Sequence, residues 1–449
     1  MIEILILGLF IFACSAAVLR PSWAFAFVFV MYSFEQALQS SGGLFLARPY
    51  LGNLCVAVSV GVCVAHLAIR ERNLFYGYAN YASISIVVLL CWAAFSLLWT
   101  PSYAAGSAIV IGGLPYVVLF VFFVPLLVSD IPVFGSMLNK LMYLGTLILL
   151  LILLSPNFNF RDGRIGFNLT AIYRSNPLAL GELGGTLVII AALFRVGASR
   201  WAFNIWRLMA FFVGALAGLQ SGSRGQLGFA IIIAIVFYPV SRRIKSLGSF
   251  FATIAGLAVI ITGVLVIASK GLDIVTLSRW DATNLEGGAG HRLRNILDLM
   301  AAWASHPFAW IAGLGSNAYS SVSATGGKEE YAHNVAVEIL CELGLLAFVL
   351  FVSILFVSVK NAIWLFRRFS QDPAERAILS VLYALFFYQL SLSLKQGNLW
   401  NSVALFCLAS IIARLHFRVS SSDQFENDDD GSNSDLEFDQ REIASSNIA

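Results

Sequence analysis

Apolar runs about as long as a bilayer core is thick follow one another along this chain, separated by short polar breaks. They predict membrane-spanning helices near residues 2–19, 23–40, 51–69, 82–99, 108–128, 137–155, 177–194, 203–219, 226–241, 248–269, 334–359, 376–394 and 397–416. The first run is followed, not preceded, by a cation, Arg20, and a second apolar run begins at once. It is therefore expected to be a retained helix and not a cleaved leader. The expected fold is an all-α polytopic membrane protein of about 12–13 transmembrane helices. Residues 1–419 form one integral membrane domain, and a long loop at 270–332 carries an amphipathic helix.

Composition agrees. Of the 449 residues, 59% are hydrophobic and 12% charged, about half the charged share of an ordinary soluble domain. The six cysteines fall inside apolar runs without a Cys-x-x-Cys pair, so they are expected to be small hydrophobes, not disulfides or metal ligands. Residues 420–449 differ from the rest. They hold nine acidic residues and one basic, including Asp428-Asp429-Asp430, and read as a disordered acidic tail. The tail hides a strongly basic domain: the whole chain is +3, but residues 1–419 carry +11.

The cations sort by side. One set of alternate loops holds sixteen Lys and Arg in short segments, which the positive-inside rule assigns to the cytoplasm together with the tail. The long loop then lies outside, and so does the amino terminus if there are thirteen spans; with twelve it would lie inside. Eleven cations remain on that outer side, where insertion disfavours them. Eight are arginine: Arg48, Arg161, Arg164, Arg174, Arg224, Arg279, Arg292 and Arg294, beside Lys270, Lys328 and Lys395. Guanidinium suits phosphate or carboxylate oxygens. An anionic ligand at the outer surface accounts for the group. Pairing with Asp162, Asp281, Glu286 or Asp298 is the simpler alternative for any single arginine.

Within the long loop, Leu293, Ile296, Leu297, Met300 and Ala301 recur at helical spacing until Pro307 stops the pattern. This predicts an interfacial helix that sets Arg292 or Arg294 at headgroup depth, followed by a turn at Gly313-Leu314-Gly315. His333 stands at the mouth of the next span, with Asn334, Glu338 and Glu342 stepping by four along one helical face. Ionisable groups so near hydrocarbon normally face a cavity or a bundle interior, and an imidazole titrates near neutral pH. Glu182, just after Asn176-Pro177, could line the same cavity.

The stretch from His333-Asn334 to Glu342-Leu343-Gly344 resembles the signature of the O-antigen ligase and polysaccharide polymerase superfamily, a His-Asn pair followed by nine residues and a glycine. Ser221-Gly222-Ser223-Arg224-Gly225 is similar to the turn that opens a mid-chain span in that family. The segment from Arg292 to Gly315 is similar to its Arg-bearing helix, Pro and Gly-x-Gly. The resemblance covers roughly residues 160–416. One departure is Ala347, where ligases often carry Gly, Thr or Tyr.

The resemblance implies a glycosyltransferase of the bacterial inner membrane. Its donor is a glycan on undecaprenyl diphosphate at the periplasmic face, and transfer is metal-independent and inverting. On that basis Arg224, Arg292 and Arg294 are candidates to hold the diphosphate. His333 is the candidate base or orienting group, with Asn334, Glu338, Glu342, Gly344 and Glu182 in support. No cofactor, metal or nucleic-acid partner is expected; the partners are membrane lipid, the lipid-linked glycan and an acceptor. That acceptor is lipid A–core for a ligase, a growing glycan for a polymerase, or a Ser or Thr hydroxyl for a protein oligosaccharyltransferase. A polytopic lipid or solute transporter is the alternative from another class. It predicts related halves and polar helices near the bilayer midplane, whereas the polar residues here gather towards one surface.

Overall fold

A computed structural model describes residues 2–71, 73–161, 164–167, 175–195, 201–242, 246, 248, 251, 255, 282–322 and 332–421. Its helices, in chain order, are α1 (Ile2–Leu19), α2 (Pro21–Ser40), the short α3 (Gly43–Ala47), α4 (Tyr50–Arg70), α5 (Tyr81–Phe95), α6 (Tyr103–Val117), the short α7 (Val124–Leu127), α8 (Ile131–Leu154), α9 (Leu178–Leu193), α10 (Trp201–Gln220), α11 (Arg224–Arg242), α12 (Ala282–Ser305), α13 (Pro307–Ala312), α14 (Tyr319–Val322), α15 (Val335–Arg368), α16 (Pro373–Gln396) and α17 (Val403–Ser421).

Ten of these are long and apolar enough to cross a membrane, taking α5 on to Leu98 and α6–α7 as one span. Two further helices, α2 and the 16-residue α9, occupy the spans expected at 23–40 and 177–194 and bury most of their residues in the bundle. The chain is an all-α polytopic membrane protein. The expected span at 248–269 and the acidic tail beyond residue 421 lie outside the described residues.

Leucines, isoleucines and phenylalanines on the outer faces of α1, α4 and α15 are exposed, as in Ile4 (75%), Leu54 (51%) and Phe356 (68%). Such a surface is stable only against lipid. Cys55 of α4 and Cys91 of α5 are likewise exposed, in contrast to the buried Cys63, Cys341 and Cys407, because apolar side chains here belong as much to the lipid face as to the core.

Three local features depart from a plain bundle. Asn159–Arg161 pairs antiparallel with Arg164–Gly166, placing a β-hairpin between α8 and α9. The α6–α7 span is interrupted by a π-helical turn at Val118–Phe123, flanked by Pro115 and Pro125. Proline removes helix donors, and the carbonyls there find other partners. Tyr78 donates to Val121 O (2.9 Å), and buried Arg414 of α17 donates to the Pro125 and Leu74 carbonyls. Finally, α16 and α17 do not join at 397, where the last span was expected to begin. Asn398 Oδ1 accepts the Asn401 N–H (2.7 Å), and this side-chain-to-backbone bond holds a turn between the two helices.

The ends of the bundle can be told apart by connectivity. The hairpin, the α10–α11 turn, the start of α15 and the α16–α17 turn share one end. Glu3 belongs there too, since Asn157 bonds both Glu3 Oε1 (3.0 Å) and Ser40 O (2.9 Å).

The long helix α15 is broken at that end. Gly344 has φ +84°, ψ 177°, so the helical ladder stops and restarts there. Three carbonyls released by the break are taken up from elsewhere. Leu314 N–H donates to Cys341 O (2.9 Å), Gly315 N–H to Glu342 O (2.8 Å) and Trp92 Nε1 to Leu343 O (2.9 Å). The Gly313–Gly315 turn is thus docked backbone to backbone against the break. A Cβ on Gly344 would collide with the Ile311 carbonyl, and one on Gly313 with the Glu342 carbonyl. Alanine at 344 would add about 1–3 kcal/mol of left-handed strain to that collision. Gly344→Ala is expected to lower the thermal unfolding midpoint of the detergent-purified protein and its yield of monodisperse material. A midpoint equal to wild type would show that α15 can straighten without cost.

Candidate functional site

Four elements bring a cation each to the same end of the bundle. Arg164 ends the hairpin's turn, Arg224 opens α11, Arg292 lies on α12 and Lys395 sits in the last turn of α16. All four are half-buried. Lys395 lies within electrostatic reach of Arg292, Arg224 and Arg164. Its stem packs directly against Gly225, filling the space that a side chain there would take. Lys395 has no hydrogen bond or ion pair among the described residues. Four positive charges held together in a half-buried site repel one another, and an anion between them reverses that cost.

The turn before Arg224 is rigid for a local reason. Gly222 adopts φ +64°, and the Ser221 hydroxyl donates to Gly218 O (2.8 Å) while accepting the Ser223 N–H (3.2 Å). Gly181 of α9 packs against Ser221 and Ser223.

Helix α12 begins at Ala282, ten residues before Arg292, and ends before Pro307, where the sequence placed its stop. Arg292, Asn295 and Leu299 share one face by their spacing. Asn295 (3% exposed) and Leu299 (0%) are buried, and Leu299 packs with Tyr319, Ala332 and Cys341 beside the start of α15. Leu293, Leu297 and Met300 are exposed on another face. Arg294 is exposed and stands about 200° round the helix from Arg292. The structure therefore brings Arg224 and Arg292 together but leaves Arg294 apart, because two residues of helical rotation reverse a side chain's direction.

His333 is half-buried and has φ +58°. It and Asn317 are the non-glycine residues with positive φ among the described residues, and such conformations persist where the surroundings impose them. Asn334 does not share a helical face with Glu338 and Glu342 as its spacing suggested. It is extended (φ −152°), and its Oδ1 accepts the Ala336 (3.0 Å) and Val337 (3.1 Å) N–H groups, capping α15.

The two glutamates act outward from their helix. Glu342 (3% exposed) accepts the Asn317 N–H (2.6 Å) and the Tyr319 N–H (3.0 Å), fastening the segment after Gly315. Glu338 (7% exposed) accepts the Leu399 N–H (3.2 Å), fastening the turn just beyond Lys395. The other Glu338 oxygen is buried without a hydrogen bond and lines a cavity of about 10 Å³ with Glu342, Asn317 and Asn398, about the size one water requires. These bonds tie the start of α15 to the turn beyond Lys395 and to the 317–319 segment, on which Leu299 of α12 packs.

Glu182 lies elsewhere, deeper in the bundle. It accepts from Gln389 Nε2 (2.8 Å) and lines a separate cavity of about 70 Å³. Sequence reasoning counted Arg164 and Lys395 in the outer group that pointed to an anionic ligand but named neither among the residues that hold the diphosphate. Lys395 at a helix end offers no pattern that separates it from a solvated lysine. Of the acidic residues considered as partners, Asp162, Asp281 and the Glu286 side chain lie outside the described residues, as do Arg174, Lys270, Arg279 and Lys328, and the Arg161 side chain. Asp298 is exposed on α12. Among the described residues no three His, Cys, Asp or Glu side chains converge as a metal-ligating set.

With this geometry in view, the comparison with known families is specific. No curated protein matches the chain. Residues 208–352 match the family model described as O-antigen ligase, a span that includes Arg224, α12, the docked glycine turn, His333 and Gly344 but not Arg164, Glu182 or Lys395. The chain is a multi-pass membrane protein whose 208–352 segment matches the O-antigen ligase family, and that match implies a glycosyltransferase-like enzyme.

Proposed function

We propose that the protein transfers a glycan from undecaprenyl diphosphate to an acceptor hydroxyl at the outer face of the bacterial inner membrane. The convergence of Arg164, Arg224, Arg292 and Lys395 carries this reading. A diphosphate is the group with the charge density to suit four cations, and the excess of cations at the opposite end supports reading this end as the exterior. The match at 208–352 supports the same chemistry.

The reaction follows from the charges that change. The bond between the anomeric carbon and the diphosphate oxygen breaks, and the leaving oxygen gains negative charge. Arg224, Arg292 and Lys395 stabilise that charge where it forms, and Arg164 adds to the local field. The acceptor hydroxyl attacks from the opposite side, which inverts the anomeric centre. His333 takes its proton as general base. The cations supply the countercharge, so transfer proceeds without a metal. Glu338, Glu342 and the Asn334 cap position these groups without touching substrate.

Ligase and polymerase differ only in the acceptor. Deletion of the gene followed by glycan analysis separates them. Bare lipid A–core with accumulated lipid-linked polymer identifies a ligase, single-repeat chains identify a polymerase, and an unaltered profile overturns both.

Arg224→Ala and Lys395→Ala are each expected to lower transfer by about 10²–10³-fold, as loss of one donor to a developing oxyanion does. The assay is glycan transfer in membrane vesicles, with membrane insertion checked by immunoblot. Wild-type rates in either variant would remove that residue from the site. His333→Asn is the sharper test of the imidazole, because asparagine tolerates positive φ. The variant should keep the wild-type unfolding midpoint and lose transfer by about 10²–10⁴-fold. EDTA should leave the wild-type rate unchanged; a rate lost to chelation and restored by a divalent ion would refute metal-independent transfer.

A further inference from the structure

The cavity beside Glu182 has no part in the chemistry above, and its chemical character is distinct. Glu182 lies one turn into α9, and Gln389 lies on α16, six residues before Lys395. At 1.5 Å of rise per residue, that sets the cavity about 9 Å below the cations along α16. The two are also joined through α9, where Gly181, next to Glu182, packs on the Ser221–Ser223 turn that precedes Arg224.

The walls combine hydrogen-bonding groups from Glu182, Gln389, Thr186 and Asn401 with the aromatic side chains of Tyr32 and Phe120. One Glu182 oxygen is held by Gln389 Nε2 at 2.8 Å; the other has no hydrogen bond among the described residues. The space of about 70 Å³ is several times the roughly 10–15 Å³ that one water needs. That is room for one edge of a sugar ring and its hydroxymethyl group.

The sign of the charges narrows the occupant. A carboxylate disfavours an anion, and four cations about 9 Å above disfavour a cation. A purely apolar occupant would leave the carboxylate and amide without partners at a cost. A neutral polyhydroxyl group meets every wall: hydroxyls donate to Glu182 and bond Gln389, Thr186 and Asn401, while C–H faces lie on the aromatic rings.

We propose that this cavity is a neutral-sugar subsite, binding the hydroxyl-bearing edge of a sugar below the diphosphate clamp. The proposal rests on the transfer reading for which sugar enters: the acceptor's terminal residue or the donor's first residue. The binding itself does not depend on it.

Two arms test it on the full-length protein in nanodiscs. In the first, thermal unfolding is followed with undecaprenyl diphosphate and, separately, with free neutral hexoses and N-acetylhexosamines. At least one sugar should raise the wild-type midpoint, and Glu182→Gln and the near-isosteric Thr186→Val should both abolish that rise. The undecaprenyl diphosphate shift should persist in both variants, which also shows that they are folded. In the second arm, transfer is measured against each substrate. Glu182→Gln should raise one KM by about tenfold or more, the loss of a hydrogen bond to a charged group. A raised acceptor KM assigns the subsite to the acceptor, and a raised donor KM assigns it to the donor's sugar.

Unchanged KM values for both substrates overturn the proposal. So does a midpoint that responds to sodium or potassium through Glu182 and to no sugar, which would make the cavity a cation site. If the wild type transfers no glycan yet the sugar-dependent midpoint shift is present and lost in both variants, the transfer reading falls and the subsite stands.

Discussion

The break in α15 at Gly344 is the constraint on which the rest of the site depends. A helix that crosses a membrane must pair its own carbonyls, because lipid offers no donors. Here the chain stops pairing them for part of a turn, and the freed carbonyls receive Leu314, Gly315 and the Trp92 indole instead. That exchange fixes the end of the long loop to a membrane helix by its backbone. Because the contact is backbone to backbone, Gly313 and Gly344 have no room for a side chain. The docked turn leads directly to Asn317 and Tyr319, whose N–H groups close on Glu342. A bend in one helix thus becomes a platform for residues from three segments.

Electrostatics gives that platform its purpose. Arg164, Arg224, Arg292 and Lys395 come from a hairpin, a helix start, an amphipathic helix and a helix end. Bringing four like charges together opposes folding unless the scaffold resists separation. The buried glutamates supply that resistance, since Glu338 ties α15 to the turn after Lys395 and Glu342 ties it to the segment below α12. Buried hydrogen bonds of this kind contribute about 0.5–1.5 kcal/mol each. On the proposed reading, an incoming diphosphate relieves the repulsion that remains.

The opposite end of the bundle uses charge differently. Arg414 and Arg418 donate to the carbonyls of Leu74, Pro125 and Ser129, closing polar gaps left by the interrupted α6–α7 span. Arginine there is a structural pin: each guanidinium serves several backbone acceptors that lipid could not satisfy. The same residue type therefore does two jobs, separated by which groups converge on it.

The membrane class, nearly every span, the amphipathic helix with its Pro307 stop and the candidacy of Arg224, Arg292 and His333 were legible from the sequence alone. They follow from hydrophobic period, charge asymmetry and local motif, all of which are properties of near neighbours in the chain. The antiparallel pairing of Asn159–Arg161 with Arg164–Gly166 has no counterpart in the helical pattern. Other features were decided only by tertiary structure. Arg294 is turned away by helical phase, Asn334 is a cap instead of a helix-face group, and Arg164 and Lys395 join the cluster from outside the recognisable motifs. Glu182 pairs with Gln389, 207 residues away. Convergence of this kind depends on how distant helices pack, and no local pattern of residues records it.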